Sequence, residues 1–254
     1  MVSEVIAAFE RELWNPEKGL YRDGKPFQST TKPHRWLPED TEIETFSPHV
    51  NLLAVLYEIA PPERRLGICK TLTVESPKLN VTPYFLYFVL PALDSAGLFA
   101  EVGVPHMRDT FIHPESCTVP ELGCSGDLSH GWVASPLVAM SQRILGITPA
   151  EAGYARAEIR PQLCGLSWAR GTVPLPHDKE LKVDWKQNDR QFQLEVDLPV
   201  PSKIILPFRA EEISRITAND RPIEIKSEPV RIDLVAGKFV LIVERNNFPD
   251  GQMP

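Results

Sequence analysis

The sequence predicts two domains of different class: helices over residues 1–150, then an antiparallel β-sandwich over residues 151–254. Three observations carry this reading. Up to about Gly146, apolar residues recur at helical spacing between Ser, Pro and Gly punctuation. After about Ala155 the spacing changes to two, the period of half-buried strands. Between the two patterns, "GITPAEAGYARAEIRP" gathers Gly146, Pro149, Gly153 and Pro161, the composition of a connection.

The first helix is predicted over "SEVIAAFERELW", with Ser3 as its N-cap and Val5, Ala8, Phe9 and Leu13 along one face. In "FSPHVNLLAVLYEIAPPER", Ser47 caps and Pro48 takes the first helical position, where its missing N–H costs nothing. The apolar run "VNLLAVLYEIA" that follows predicts a buried helix. "TPYFLYFVLPALDSAG" begins at Thr82 and Pro83 and ends at Gly97, with Pro91 implying a kink or break. "SPLVAMSQRILG" repeats the pattern with Ser135, Pro136 and Gly146. Beyond the connection, "ELKVDW" aligns Leu181, Val183 and Trp185, and "QFQLEVDL" aligns Phe192, Leu194, Val196 and Leu198. The runs "KIILPF", "RPIEI", "VRIDL" and "KFVLIVE", spaced by turn residues, complete a sandwich pattern. Trp168 and Trp185 fall in strand patterns, as sandwich core or its edge.

Composition narrows the function classes. With 254 residues, 43% hydrophobic and 24% charged, the chain has material for one large or two ordinary cores. A net charge of −7, with basic residues scattered among acids, argues against nucleic acid as a partner. No apolar run approaches a membrane span and the opening residues lack a secretory pattern, so no membrane partner is expected and the protein reads as cytoplasmic. The four cysteines, Cys69, Cys117, Cys124 and Cys164, form no C-x-x-C pair and read as thiols. His106, His113, His130, Cys117 and Cys124 match no metal-ligand spacing, so neither metal nor cofactor is expected. No nucleophile elbow, phosphate loop or dinucleotide fingerprint is present.

One segment is too polar for a core and too rich in chemistry for a plain loop: "CTVPELGCSGDLSHGWVASP", Cys117–Pro136. Pro120 fixes its own φ and holds Val119 extended, which limits where Glu121 can point. On spacing alone Glu121 reads as a loop acid near a helix start, and His130 and Trp132 as a structural histidine and a core tryptophan. Asp127 reads as a turn residue. The acidic run of Glu39, Asp40, Glu42 and Glu44 reads as a solvated loop, the weakest fallback for a second carboxyl group.

A resemblance changes that weighting. "HGWVASPLVAMSQRILGITPAEAGYARAEIRPQLCGLSWARGTVPLPH" resembles the carboxy-terminal region of bacterial α-L-rhamnosidases, glycoside hydrolases with an (α/α)6 toroid followed by a β-sandwich. "NPEKGLYRDG", "SPHVNLLAVLYEIAPPERR" and "VTPYFLYFVLPALDSAG" are similar to helical hairpins in the second half of that toroid. The resemblance implies a partial toroid over 1–150, with room for about half the family's hairpins at about 3 to 4 turns per helix. "CTVPE" and "SHGWVASP" resemble the family's site segments, which implies Glu121 as general base and His130 and Trp132 as sugar contacts.

The implied substrate is a rhamnose-containing glycoside cleaved with inversion. That chemistry needs one carboxylate to activate water opposite a protonated acid about 6.5–9.5 Å away. The resemblance also implies that the segment supplying the acid lies outside these residues. The expected partners are therefore a complementing chain or further copies of this one. A non-catalytic carbohydrate-binding or structural remnant is the alternative.

Overall fold

The computed structural model describes residues 2–25, 44–75, 79, 81–111, 121 and 129–246. They fall into two compact units, Met1–Pro136 and Leu137–Pro254.

Helix α1 (Val2–Leu13) opens the first unit. Ser3 lies inside it rather than capping it, because the helix already runs from Val2. Val5 is 64% exposed, and the half-buried apolar residues are Ile6, Ala8, Phe9 and Leu13. "NPEKGLYRDG", read by resemblance as part of a helical hairpin, folds as a small β-hairpin instead. Strand β1 (Trp14–Asn15) pairs antiparallel with β2 (Leu20–Tyr21). Its turn is set locally: Asn15 Oδ1 accepts the N–H groups of Glu17 and Lys18, each at 3.0 Å, and Gly19 takes φ +64.

Helix α2 (Pro48–Leu56) begins as its sequence demands, with Ser47 extended and its Oγ accepting Val50 N–H at 3.3 Å. None of Val50–Leu56 is exposed, but the helix stops before "YEIA", where Glu58 turns to φ +57. Asn51 is fully buried because it completes the backbone of β2. Its Oδ1 accepts Tyr21 N–H at 2.7 Å, and its Nδ2 donates to the carbonyls of Tyr21 at 2.9 Å and Ser47 at 3.0 Å. Helix α3 (Pro62–Thr73) buries Ile68, Cys69 and Leu72. A 3-10 turn, Pro83–Phe85, leads into α4 (Leu86–Ser95), which buries Leu86, Val89, Leu90, Ala92 and Leu93. Pro91 does not break α4: the helix runs through it, and only the N–H that would have reached the Tyr87 carbonyl is lost. A π-helical turn, Phe99–Gly103, precedes α5 (Val104–Phe111), and a second 3-10 turn covers Gly131–Val133.

Helix α6 (Ser135–Ala139) contains the division between the units and continues as a π-helical turn, Met140–Ile144. The sequence reading put the change of domain at 150/151; the structural division lies earlier. After α6 the chain packs with the sheet: Trp185 Nε1 donates to the Ile144 carbonyl at 3.0 Å, and Leu145 lies against Gly171. Gly146, at φ +79, passes so close to Arg160 that a Cβ would stand 2.1 Å from its carbonyl carbon. The stretch read as a connection is a hairpin of β3 (Ile147–Pro149) and β4 (Ala157–Ile159), because Ile147, Ala157 and Ile159 are all at 0% exposure.

The remaining strands are β5 (Trp168–Leu175), β6 (Lys179–Gln187), β7 (Gln191–Leu198), β8 (Ser202–Ile205), β9 (Ile213–Ala218), β10 (Arg221–Pro222), β11 (Arg231–Leu234) and β12 (Gly237–Arg245). They form two sheets. A six-stranded antiparallel sheet runs β10-β9-β12-β7-β6-β5. A four-stranded sheet runs β11-β8-β4-β3, antiparallel except for the β4–β8 pair. The period-two reading holds in detail: Leu181, Val183, Trp185, Phe192, Leu194, Val196 and Leu198 are buried, and their sequence neighbours turn outward. Trp185 is core, whereas Trp168, on edge strand β5, is 60% exposed. "RPIEI" contributes only Arg221–Pro222, at the sheet edge, where Pro222 lacks the N–H a central strand requires. No helix among the described residues is long and apolar enough to cross a membrane.

Candidate functional site

The first unit carries a chain of aromatic rings around the 3-10 turns at Pro83–Phe85 and Gly131–Val133. Val133, fully buried, anchors the second turn and leaves Trp132 outward, 53% exposed. The His130 ring lies 4.5 Å from that of Trp132 at 31°, and the Tyr84 ring lies 5.3 Å from it at 44°. The series runs on through Phe88, at 6.4 Å from Tyr84 and 5.3 Å from Phe85. His49 of α2 stands 4.2 Å from Phe85. Tyr84 and Tyr87 are exposed with Trp132. The result is a surface on which apolar faces alternate with phenol and imidazole edges, groups able to stack on an apolar ring and to hydrogen-bond to hydroxyls.

His130 Nδ1 is buried, and among the described residues no hydrogen-bond partner reaches it. Such an atom costs about 1–3 kcal/mol when left unsatisfied, so it marks a place where a polar group belongs. Glu121 is half-buried in a turn, and no ion pair or hydrogen bond among the described residues engages its carboxylate. The structure thus brings His130 and Trp132 together, while no ring contact, ion pair or hydrogen bond joins Glu121 to them. The rest of the opening segment, residues 117–120 and 122–128 with Cys117, Cys124 and Asp127, lies outside the described residues, as do His113, Glu39, Asp40 and Glu42. Among the described residues no group of three or more His, Cys, Asp or Glu could hold a metal ion.

Sequence reasoning missed Tyr84, whose only signal was its place two residues after the Thr82 that opens the α4 segment. It also missed a buried polar cluster at the β-hairpin. The fully buried Tyr21 hydroxyl donates to Glu10, Arg64 pairs with the same carboxylate, and the Arg64 guanidinium lies 4.0 Å above the Trp14 ring. Burial, and then the Glu10 carboxylate, push the Tyr21 phenol above its ordinary range. This cluster ties α1, the hairpin and α3 together.

Comparison with known proteins follows the same division. Residues 146–219 match the family model of the bacterial alpha-L-rhamnosidase C-terminal domain. No curated protein sequence matches the chain. Among solved structures, an alpha-L-rhamnosidase from Dictyoglumus thermophilum is similar over 95% of this chain and 28% of its own, at TM-score 0.67 and 14% identity. A GH78 family rhamnosidase of Bacillus sp. GL1 is similar over 81% of this chain and 22% of its own, at TM-score 0.61 and 22% identity. A Streptomyces avermitilis alpha-L-rhamnosidase, whose structure was determined with L-rhamnose, covers 76% of this chain and 21% of its own, at TM-score 0.53 and 16% identity. The resemblance to the carboxy-terminal part of rhamnosidases therefore holds: as a domain family over 146–219, and as a fold over most of the rest. The chain spans less than a third of the length of these enzymes.

Proposed function

We propose that this chain is the carboxy-terminal part of an α-L-rhamnosidase-type glycoside hydrolase, with Glu121 as the general base and His130 and Trp132 lining the site of a terminal rhamnose. In this reading the helices are part of an (α/α)6 toroid, and the two sheets are the sandwich that follows it. The observation that carries the reading is the exposed stack of His130, Trp132 and Tyr84 in a chain whose following residues match the rhamnosidase C-terminal domain.

Trp132 offers its face to the apolar side of the ring, Tyr84 extends that platform, and the buried His130 Nδ1 takes a hydrogen bond from the sugar or its water. Among the described residues no ion pair engages the Glu121 carboxylate, and in this reading its lone pairs serve water. Inversion requires an acid on the opposite side of the ring, about 6.5–9.5 Å from the base, and in this reading another segment or chain supplies it.

The test is hydrolysis of an aryl α-L-rhamnoside, measured on the chain alone and with the product of the adjacent reading frame expressed alongside it. Glu121→Gln keeps shape and removes the base, so turnover falls by about 10²–10⁴ while rhamnose binding survives. Trp132→Ala weakens binding by about 1–2 kcal/mol. Unchanged turnover in Glu121→Gln would overturn the assignment of the base.

A further inference from the structure

The sheet unit carries its own ligand-shaped surface, on the side facing away from its core. Strand register aligns three outward rows across the six-stranded sheet. Trp168 faces Lys186, which faces Gln193; Arg170 faces Asp184, which faces Glu195 and then Val240; Thr172 faces Lys182, which faces Asp197 and then Lys238. The twist of the sheet hollows this face into an open trough of about 710 Å³, within the range of small-ligand sites, about 300–1,000 Å³. A second hollow of about 320 Å³, lined by Trp168, Arg170, Asp184 and Lys186, shares Arg170 and Asp184 with the first. The exposed indole of Trp168 therefore stands at one end of a continuous depression.

The charges in the trough balance: three cations, Arg170, Lys182 and Lys238, against three anions, Asp184, Glu195 and Asp197. Outward sheet faces are commonly charged, and charge alone would mark nothing. Two features set this face apart. Arg170 and Asp184 stand directly opposite on neighbouring strands, yet neither makes an ion pair or a hydrogen bond among the described residues. Lys238, by contrast, pairs with Asp197 at 3.4 Å, and Gln193 donates to Glu195 at 2.6 Å. The second feature is the large exposed aromatic beside that uncommitted pair. A guanidinium donates to hydroxyls and a carboxylate accepts from them, while an indole face stacks on an apolar ring. With Lys186 of the second hollow the depression holds four cations against three anions, a mixed field that neither sign dominates. Four strands about 4.8 Å apart span about 14 Å, enough for more than one ring.

We propose that the outward face of the six-stranded sheet is a carbohydrate-binding surface for a neutral oligosaccharide, with Trp168 as the stacking platform and Arg170 and Asp184 as the hydroxyl-reading pair. It lies wholly within Leu137–Pro254 and goes beyond the Glu121 reading, on which it does not depend. The experiment is a printed array of neutral oligosaccharides, rhamnose-terminated ones included, followed by calorimetry on the best binder and sedimentation of each protein. Trp168→Ala and Arg170→Ala, both exposed positions whose folding is checked by melting, each weaken binding by about tenfold or more. Four outcomes would overturn the proposal: no neutral oligosaccharide binds; binding survives both substitutions; only acidic glycans bind, with loss in high salt; or Trp168→Ala instead dissociates a dimer, which makes the face a contact between copies. Loss of binding in Trp132→Ala, with Trp168→Ala unaffected, would leave the rhamnose site standing and remove only this one.

Discussion

The two units differ in how regularly they sort polar from apolar side chains. In the sheet unit β6 and β7 alternate so regularly that Leu181, Val183, Trp185 and Phe192 are buried while Lys182, Asp184 and Lys186 face outward. In the helical unit a phenol and an amide, Tyr21 and Asn51, are fully buried, while Tyr57, Tyr84, Tyr87 and Trp132 are exposed. The sheet unit closes its core mostly with apolar side chains, joined by the Trp185 indole, which donates to Ile144, and by Ser202, whose hydroxyl donates to the Val200 carbonyl at 3.0 Å. The helical unit uses hydrogen bonds to close its core and leaves aromatic surface uncovered, where the candidate sugar site lies. Buried and exposed aromatics therefore make different predictions, and substitutions can separate them.

The widest separation is between two tryptophans. Trp185→Ala removes a fully buried ring and leaves the Ile144 carbonyl without its donor, a loss of about 4–5 kcal/mol in denaturant unfolding. Trp132→Ala, half-exposed, costs about 1 kcal/mol or less. Similar losses for the two would erase the contrast. Gly146→Ala comes next: positive φ and a Cβ 2.1 Å from backbone predict a loss of about 3 kcal/mol or more, read as a lower Tm. In the helical unit, Asn51→Leu keeps the volume but strands the Tyr21 N–H and carbonyl, for about 2–3 kcal/mol in the same unfolding assay. Ser47→Ala removes one cap, for about 1 kcal/mol.

The smallest effect is with pH. Burial pushes the Cys69 thiol up to about 12 from an ordinary 9.0, and burial followed by Glu10 raises Tyr21 as well. Both groups fold protonated, so their contribution is complete below their unfolded values and is lost as pH rises through the folded ones. Thermal melts between about pH 8 and 11 should therefore show stability falling above about pH 9, with a shallower fall in Cys69→Ala.

How far the sequence could be read follows the same division. Period two is a local signal, and it located the strands whose alternate residues face a core. It missed β3 and β4, which are short and punctuated by Pro149 and Gly153, so a buried hairpin carried the composition of a connection. Ser47 and Pro48 were legible because capping involves only neighbours in sequence. The Asn51–Tyr21 and Arg64–Glu10 pairings were not, since they join segments far apart in sequence and use residue types common on surfaces. At the candidate site, His130 and Trp132 were named only through resemblance, and Tyr84 joins them through the meeting of two turns. Trp168 was read as core or edge; its exposure follows from the strand on which it sits.

The central claim, that the exposed aromatic surface of the helical unit is a rhamnose site, can be read from the indole N–H resonances during a titration with L-rhamnose. The account predicts that the Trp132 resonance moves saturably, that Trp185 stays still, and that Glu121→Gln retains the shift. A Trp132 resonance unmoved at L-rhamnose concentrations well above the about 1 mM of a weak site would contradict it.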